Sequence, residues 1–392
     1  MKGMVMVEEI SRLLSVYEDR IYQDFERMVN INSFSSNRAG IEQMCQVLQE
    51  IAANLGVELE RIYSAQKSSL HLVYGQNQKE HFYALMGHFD TVHPPESDFQ
   101  TLREEEGLLY GPGANDMKSG LIVAIYSLAI LQILFPECKL PIKALFNSDE
   151  EIGSSDSKAL IHSLFVGAKA GFVFEPGRRE NNSVVIERKG IMGIAVTIAG
   201  KPAHAGSAPW EGINAISEAA ALIGMLDGHN DYARGFSVGC NVIHGGVASN
   251  VVAAECHFDI DVRYMDEMEK EALLQALDMW IAHPMHEGAA IDYRILHSRA
   301  PMKKTEASEA LFATYKHISE SLGIACGGVS SGGVSDANFL SGMGIPVIDG
   351  IGAVGDGSHT RQEYTIKHSI PDRIKIFSLL MAEEIKKQLG QC

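Results

Sequence analysis

Positive charge is in short supply in this 392-residue chain: 33 lysines and arginines stand against 50 aspartates and glutamates, a formal charge of −17. A surface of that sign repels nucleic-acid phosphates and anionic lipid head groups, which argues against nucleic acid and membrane as partners. Cysteine is scarce as well. The six, at positions 45, 138, 240, 256, 326 and 392, include no C-x-x-C pair, which speaks against a zinc knuckle or a disulfide scaffold and for reduced thiols in the cytoplasm. The longest apolar stretch, 121–135, falls short of the roughly 20 residues that cross a bilayer and contains Ser127 and Gln132. It reads as a helix packed on a sheet. The first 28 residues carry acids from Glu8 onward and lack the features of a signal peptide, so they read as an amphipathic helix. No H-E-x-x-H motif, internal repeat or low-complexity segment is present.

What is present alternates in a telling way. The length suggests two domains. Up to residue 189, amphipathic helices alternate with short apolar runs, with strands expected at 69–74, 82–87, 142–147 and 171–174 and a helix at 117–135. Between 190 and 299 the order becomes strand, helix, strand, strand, helix, strand, the split-βαβ pattern of a ferredoxin-like domain. From 300 to 392 the α/β texture returns, with helices at 306–322 and 371–389 and a strand near 345–349. The expected fold is therefore an α/β domain (1–189 and 300–392) with a mixed sheet, interrupted by a smaller α+β domain (190–299).

Acids and histidines gather at the ends of the apolar runs. His88 and Asp90 close one strand, Asp149, Glu150 and Glu151 follow another, and Glu175 follows a third. Open α/β sheets bind ligands beyond the carboxyl ends of their strands, so these groups are candidates for one crevice. Asp116 precedes the long helix, where a carboxylate also meets the positive end of the helix dipole. His359, in the Gly-rich GIGAVGDGSHT, adds a second imidazole. Each has an ordinary explanation: a helix N-cap for Asp116, a solvated first turn for 149–151, a turn residue for Glu175, a loop hydrogen bond for His88. Jointly, two imidazoles, one central and two flanking carboxylates suit a pair of divalent ions, zinc first, with open positions for water and substrate.

The pair His88 and Asp90, the step Asn115–Asp116, the run Asp149–Glu151 with Gly153, the stretch FEPG at 174–177 and GSH at 357–359 together resemble the co-catalytic zinc amidohydrolases. These include glutamate carboxypeptidase, aminoacylase, acetylornithine deacetylase and succinyl-diaminopimelate desuccinylase. The resemblance implies a three-layer α/β/α catalytic domain of the zinc exopeptidase type with an inserted dimerisation lid, hence a homodimer. It implies Asp116 as the carboxylate bridging two zinc ions (cobalt or manganese being substitutes), His88 and Glu175 on one ion, and Glu151 and His359 on the other. Asp90 then fixes the tautomer of His88, and Glu150 is the general base that takes a proton from water.

The same resemblance implies that His204 reaches the oxyanion across the dimer and that Asn250 and Arg263 hold substrate. For Arg263 an ion pair with Asp259 or Asp261 competes with that role. Ser331, Gly332 and Gly333, in SSGGVSDANF, would receive the carboxylate of a C-terminal residue. This loop and the stretch IDGIGAVGDGSH favour the glutamate carboxypeptidase branch, and so hydrolysis of an amide bond in a short peptide or N-acyl amino acid with a free carboxylate, glutamate being one candidate product. A deacylase of the acetylornithine or succinyl-diaminopimelate type is the alternative, and a metal-binding scaffold without chemistry is the rival of a different class. Two decoys are set aside: Gly350–Gly355 fits G-x-G-x-x-G but opens no helix, and Gly235–Gly239 fits G-x-S-x-G but continues as a strand. The histidines of HPMH, at 283 and 286, are expected in a loop.

Overall fold

The computed structural model describes residues 2–64, 69–75 and 81–389. The chain separates into two compact units. One runs up to Glu187 and takes in Lys304–Ser330 and everything from Ser335 onward; the other comprises Arg188–Lys303 with Ser331–Val334.

The first unit is built on a six-stranded mixed sheet in the order Glu60–Tyr63, Leu70–Tyr74, Ile142–Asn147, Tyr83–His88, Gly171–Val173, Val347–Ile348. The last four are mutually parallel, and Leu70–Tyr74 runs antiparallel to Ile142–Asn147. Every residue of Tyr83–His88 and Ile142–Asn147 is buried, as strands covered on both faces must be. Tyr83 and Leu85 join the core formed with the helix Ser119–Leu134. Ala84 lies beside Gly171 on the other face, where Leu340 of the helix Ala337–Gly342 comes down.

The Ser119–Leu134 helix is buried all round from Ser119 to Leu131, with Lys2–Val29 and Ser369–Leu389 packed on it. With the π-helical turn Ala114–Lys118 before it, this run of 21 residues is long and apolar enough to span a bilayer, whereas the apolar stretch counted from residue 121 falls short. Its most apolar window is 83% buried inside the protein, so the apolarity serves the core. At its start Gly120 lets the helix touch the end of a strand: a Cβ there would lie 1.9 Å from the carbonyl oxygen of Phe174.

A second sheet of four short strands, Gly355–Asp356, Tyr364–Ile366, Leu108–Tyr110 and Arg103–Glu105, is antiparallel and was not expected from the sequence. It sets the 357–363 loop beside the Gly111–Asp116 segment, with Gly111 donating its N–H to the Glu363 carbonyl.

The second unit is ferredoxin-like. Its four antiparallel strands lie in the order Ser237–Gly245, Glu255–Tyr264, Gly190–Ala199, Ala290–Arg299. The alternating residues Met192, Ile194, Val196 and Ile198, with Cys256, Phe258, Ile260 and Val262, form its core against Leu222 and Leu226 of the helix Ala215–Asp227 and Leu273 and Leu277 of the helix Glu267–Ala282. His286 is more than a loop residue. It donates to Glu218, a fully buried carboxylate that also accepts from Trp280 Nε1 and from the N–H groups of Met285 and His286.

Candidate metal centre

In the first unit His88 ends its strand, Glu151 follows Asn147 by four residues, and Glu175 follows Val173 by two, all at the carboxyl edge of the parallel strands. Asp116 reaches the same edge from the π-helical turn. Its own φ and ψ, −116° and 91°, are not helical and its side chain caps nothing, so the N-cap explanation fails. Residues 149–151 do not open a helix either, since the next one starts at Lys158.

The two oxygens of Asp116 face in two directions. Oδ1 lies 3.2 Å from His88 Nε2, which is also 3.5 Å from Glu175 Oε1. Oδ2 lies 3.5 Å from His359 Nε2, which in turn is 3.2 Å from Glu151 Oε2. Ligand atoms of His88, Asp116 and Glu151 all fall within 4.8 Å of one another.

Asp90 is fully buried behind this cluster. Its carbonyl and Oδ1 lie 3.1 and 3.4 Å from His88 Nδ1, so Nδ1 keeps a proton and Nε2 is the ring nitrogen turned to Asp116 and Glu175. Its carboxylate also accepts from Ser35 Oγ at 2.8 Å and from the N–H groups of Glu150 and Glu151 at 3.2 Å each. The side chain that orients His88 therefore also holds the backbone that carries Glu150 and Glu151.

Three carboxylates pulled out of water need positive charge nearby. Among the described residues no lysine or arginine pairs with Asp116, Glu151 or Glu175; only the two histidines do. The titration pattern follows. Hydrogen bonds donated to Asp116 and Glu151 push His359 up to about 11, and although burial opposes the charge on His88, the bonds to Asp116, Asp90 and Glu175 hold it well above its ordinary value. Burial would raise Asp116, but His359 and His88 keep it below the carboxylate range. Burial and the neighbouring Asp116 charge raise Glu175 to about 7. Glu151 Oε1 is buried with no hydrogen-bond partner. Buried acceptor oxygens, imidazole nitrogens aimed inward and no lysine or arginine among them fit the donor set of a divalent-metal centre.

Residues 84–383 match the sequence profile of Peptidase family M20/M25/M40. The chain belongs to that family. As an M20 enzyme it is a metal-dependent hydrolase. Carboxypeptidase G2 of Pseudomonas sp. (strain RS-16) is 28% identical over 373 residues, covering 93% of this chain and 89% of that protein. Acetylornithine deacetylase of Pasteurella multocida is 26% identical over 397 residues, covering 96% and 99%. Among solved structures, a tripeptidase from Staphylococcus aureus superposes with a TM-score of 0.75 at 23% identity, covering 93% of this chain and 97% of that one, so the M20 fold extends over nearly all of it.

The remaining predicted site residues of this M20 chain lie in the second unit. His204 is exposed, and its Nδ1 accepts the N–H groups of Gly206 and Ser207 at 3.1 Å each. The neutral ring thus carries its proton on Nε2 and presents a donor. Asn250 is exposed beside it, its carbonyl accepting from Ala205 N at 3.0 Å. Arg263 forks onto Asp261 through Nε (2.8 Å) and Nη2 (3.1 Å), the ion-pair explanation weighed above. Ser331 Oγ and the Gly333 carbonyl accept from Nη1 of the buried Arg188 at 3.4 and 3.1 Å, and Gly332 is exposed between them.

Sequence reasoning missed Arg188, Ser35 and Glu363. A lone serine or arginine in a strand or loop carries no pattern. Glu363 had one signal, an acid four residues beyond His359 in the same loop.

Proposed function

We propose that this protein is a dizinc carboxypeptidase or N-acyl-amino-acid hydrolase that releases a C-terminal amino acid from a short peptide or acylated substrate. The observation that carries the reading is Asp116 with one oxygen toward His88 and Glu175 and the other toward His359 and Glu151. Those five side chains would hold the ions, which when bound supply Lewis acidity to the scissile carbonyl and lower the pKa of water.

The chain's own residues do the rest. Glu150, partly exposed next to Glu151, takes a proton from the attacking water as the C–O bond forms and returns it to the nitrogen as the C–N bond breaks, worth roughly 10²- to 10⁴-fold in rate. Asp90 keeps His88 in one tautomer. The Nε2 donor of His204 suits a developing oxyanion. Ser331–Gly333, braced by Arg188, would receive the substrate carboxylate. The likeness to carboxypeptidase G2 over 93% of the chain supports this branch.

His204 serves the reaction across a homodimer in this reading. The strand Ser237–Gly245 is an edge of its sheet, and Val242 and Ile243 on it are 47% and 48% exposed, an apolar edge suited to pairing with a second copy. The test is a panel of N-acyl amino acids and dipeptides assayed for released amino acid with and without chelator, alongside sedimentation. Release only from substrates with a free α-carboxylate, abolished by chelation, is expected. Turnover limited to acetylated or succinylated diamino acids would shift the assignment to the deacylase branch, and no turnover with two metals bound would favour the scaffold.

A further inference from the structure

The centre depends on two loops holding one aspartate between two histidines, and one buried carboxylate makes most of the bonds that tie those loops together. Glu363 is 1% exposed. Its Oε1 accepts the N–H groups of Asn115 at 2.9 Å and Asp116 at 2.8 Å; its Oε2 accepts the N–H of Gly113 at 3.0 Å and His93 Nε2 at 2.8 Å. A carboxylate has about four lone-pair sites, and all are taken by protein donors. None is left for an ion, which separates Glu363 from the ligand set.

Three of those donors belong to the segment that carries Asp116, and the acceptor belongs to the loop that carries His359. That loop is closed on itself by Thr360, whose N–H and Oγ1 both donate to the Gly357 carbonyl, at 3.0 and 2.7 Å. A second tie runs from Asn115 Nδ2 to Ser358 Oγ at 2.9 Å. Beyond Glu363 the chain enters Tyr364–Ile366, which pairs with Leu108–Tyr110. The 3.5 Å approach of His359 to Asp116 is thus set through Glu363, between two segments about 245 residues apart in sequence.

We infer that Glu363 is a positioning residue of the hydrolytic centre, fixing the bridging Asp116 against His359 while touching neither ion nor substrate. This rests on the metal-centre reading above. Substituting glutamine turns one acceptor into a donor aimed at a backbone N–H, so the Asp116 segment must move or lose a bond. Partners that orient ligands in this way typically cost 10- to 100-fold in metal affinity when lost.

The experiment strips wild type and Glu363→Gln with chelator, titrates both with zinc against a chromophoric competitor, and records thermal unfolding of the metal-free forms. Wild type should take two zinc ions per chain. Glu363→Gln should bind one of the two about 10- to 100-fold more weakly, with kcat reduced, KM little changed and part of kcat restored by excess zinc. A merely stabilising side chain would instead lower the unfolding temperature of the metal-free protein and leave zinc affinity of the folded variant at the wild-type value, which overturns the inference. Where Glu363→Gln does not fold, Glu363→Asp carries the test: it keeps the charge but is one methylene too short to reach the N–H groups of Gly113, Asn115 and Asp116 together. Weaker binding of one ion supports the role, and two ions at wild-type affinity overturn it. A wild type that binds no zinc sinks the metal-centre reading itself.

Discussion

Two helical glycines predict opposite outcomes for the same substitution. At Gly120 an added Cβ would sit 1.9 Å from the Phe174 carbonyl oxygen and 3.0 Å from Met117 Cε, and a Cβ added at Gly352 would in turn lie 3.1 Å from the Gly120 Cα. Met117 can swing away, but the carbonyl is backbone at the end of a buried strand. Bringing 1.9 Å to at least 3.0 Å requires helix and strand to part by about 1 Å. Alanine gains about 1 kcal/mol of helix propensity over glycine. Overpacking of this kind costs about 1–3 kcal/mol where side chains can yield, and more where only backbone can. The net expectation for Gly120→Ala is a loss of about 2 kcal/mol, or roughly 4–8 °C in the unfolding temperature of the first unit. Glu175 directly follows Phe174, so a shift of that size at a proposed metal ligand should also lower kcat by about 10²-fold. Gly224, in the helix Ala215–Asp227, meets nothing within 4 Å, so Gly224→Ala should stabilise its unit by about 0.5–1 kcal/mol with zinc affinity and kcat unchanged. Calorimetry of both variants, with kcat measured in the zinc-loaded enzyme, decides. A Gly120→Ala protein that unfolds at or above the wild-type temperature with full activity would refute the close approach and the reasoning built on it.

Other perturbations test other links. Glu150→Gln should keep both metals yet lose roughly 10²- to 10⁴-fold in kcat; metal analysis with steady-state kinetics checks it, and normal turnover would remove Glu150 from the chemistry. Asp90→Asn replaces one acceptor by a donor facing His88 Nδ1 or the N–H groups of Glu150 and Glu151, so zinc affinity should fall about 10- to 100-fold; a chelator-competition titration matching wild type would contradict that. His71 is fully buried with neither ring nitrogen bonded, and burial lowers its pKa from 6.5 to about 4. The unfolded chain therefore binds the extra proton first. Stability from this group is complete above pH 6.5 and is lost by up to about 3 kcal/mol as the pH falls to 4. In urea titrations His71→Phe should flatten that acid limb and cost little at pH 7, whereas an unchanged limb would exclude His71 as its source.

Much of this was readable because the site lies at the ends of strongly patterned elements. The buried strands ending in His88 and Asn147 are apolar runs, the second broken only by Lys143, and their ligand-type neighbours stand out by contrast. The alternation in Gly190–Ala199 and Glu255–Tyr264 likewise announced a sheet with one buried face. What stayed hidden has the opposite character. Arg103–Glu105, Gly355–Asp356 and Tyr364–Ile366 are two or three residues long, too short for any period, and exist because each pairs with a distant segment. The turn at 114–118 holds Asp116 in a non-helical conformation just before what reads as the start of a helix. Arg263 showed the limit of residue-type logic: a guanidinium suited to a substrate carboxylate is equally suited to Asp261, two residues away on the same face of its strand.

The hidden part also explains why the legible part suffices for chemistry but not for stability. Asp116, Glu151 and Glu175 are costly together, and in the metal-free protein two imidazoles carry the compensating charge, His359 with its pKa near 11. A divalent ion held there would have to displace those protons and, for Glu175 near 7, the proton that burial favours. The fold therefore has to hold mutually repelling carboxylates in place while protons and metals exchange, which apolar packing alone, being non-directional, does not do. Directional bonds do: Asp90 onto the N–H groups of Glu150 and Glu151, and Glu363 onto those of Gly113, Asn115 and Asp116. Both acids address main-chain donors, which every non-proline residue supplies, so the segments they hold bear no mark of being held. The candidate ligands can be read from the sequence, while the bonds that hold them together are visible only once the chain is folded.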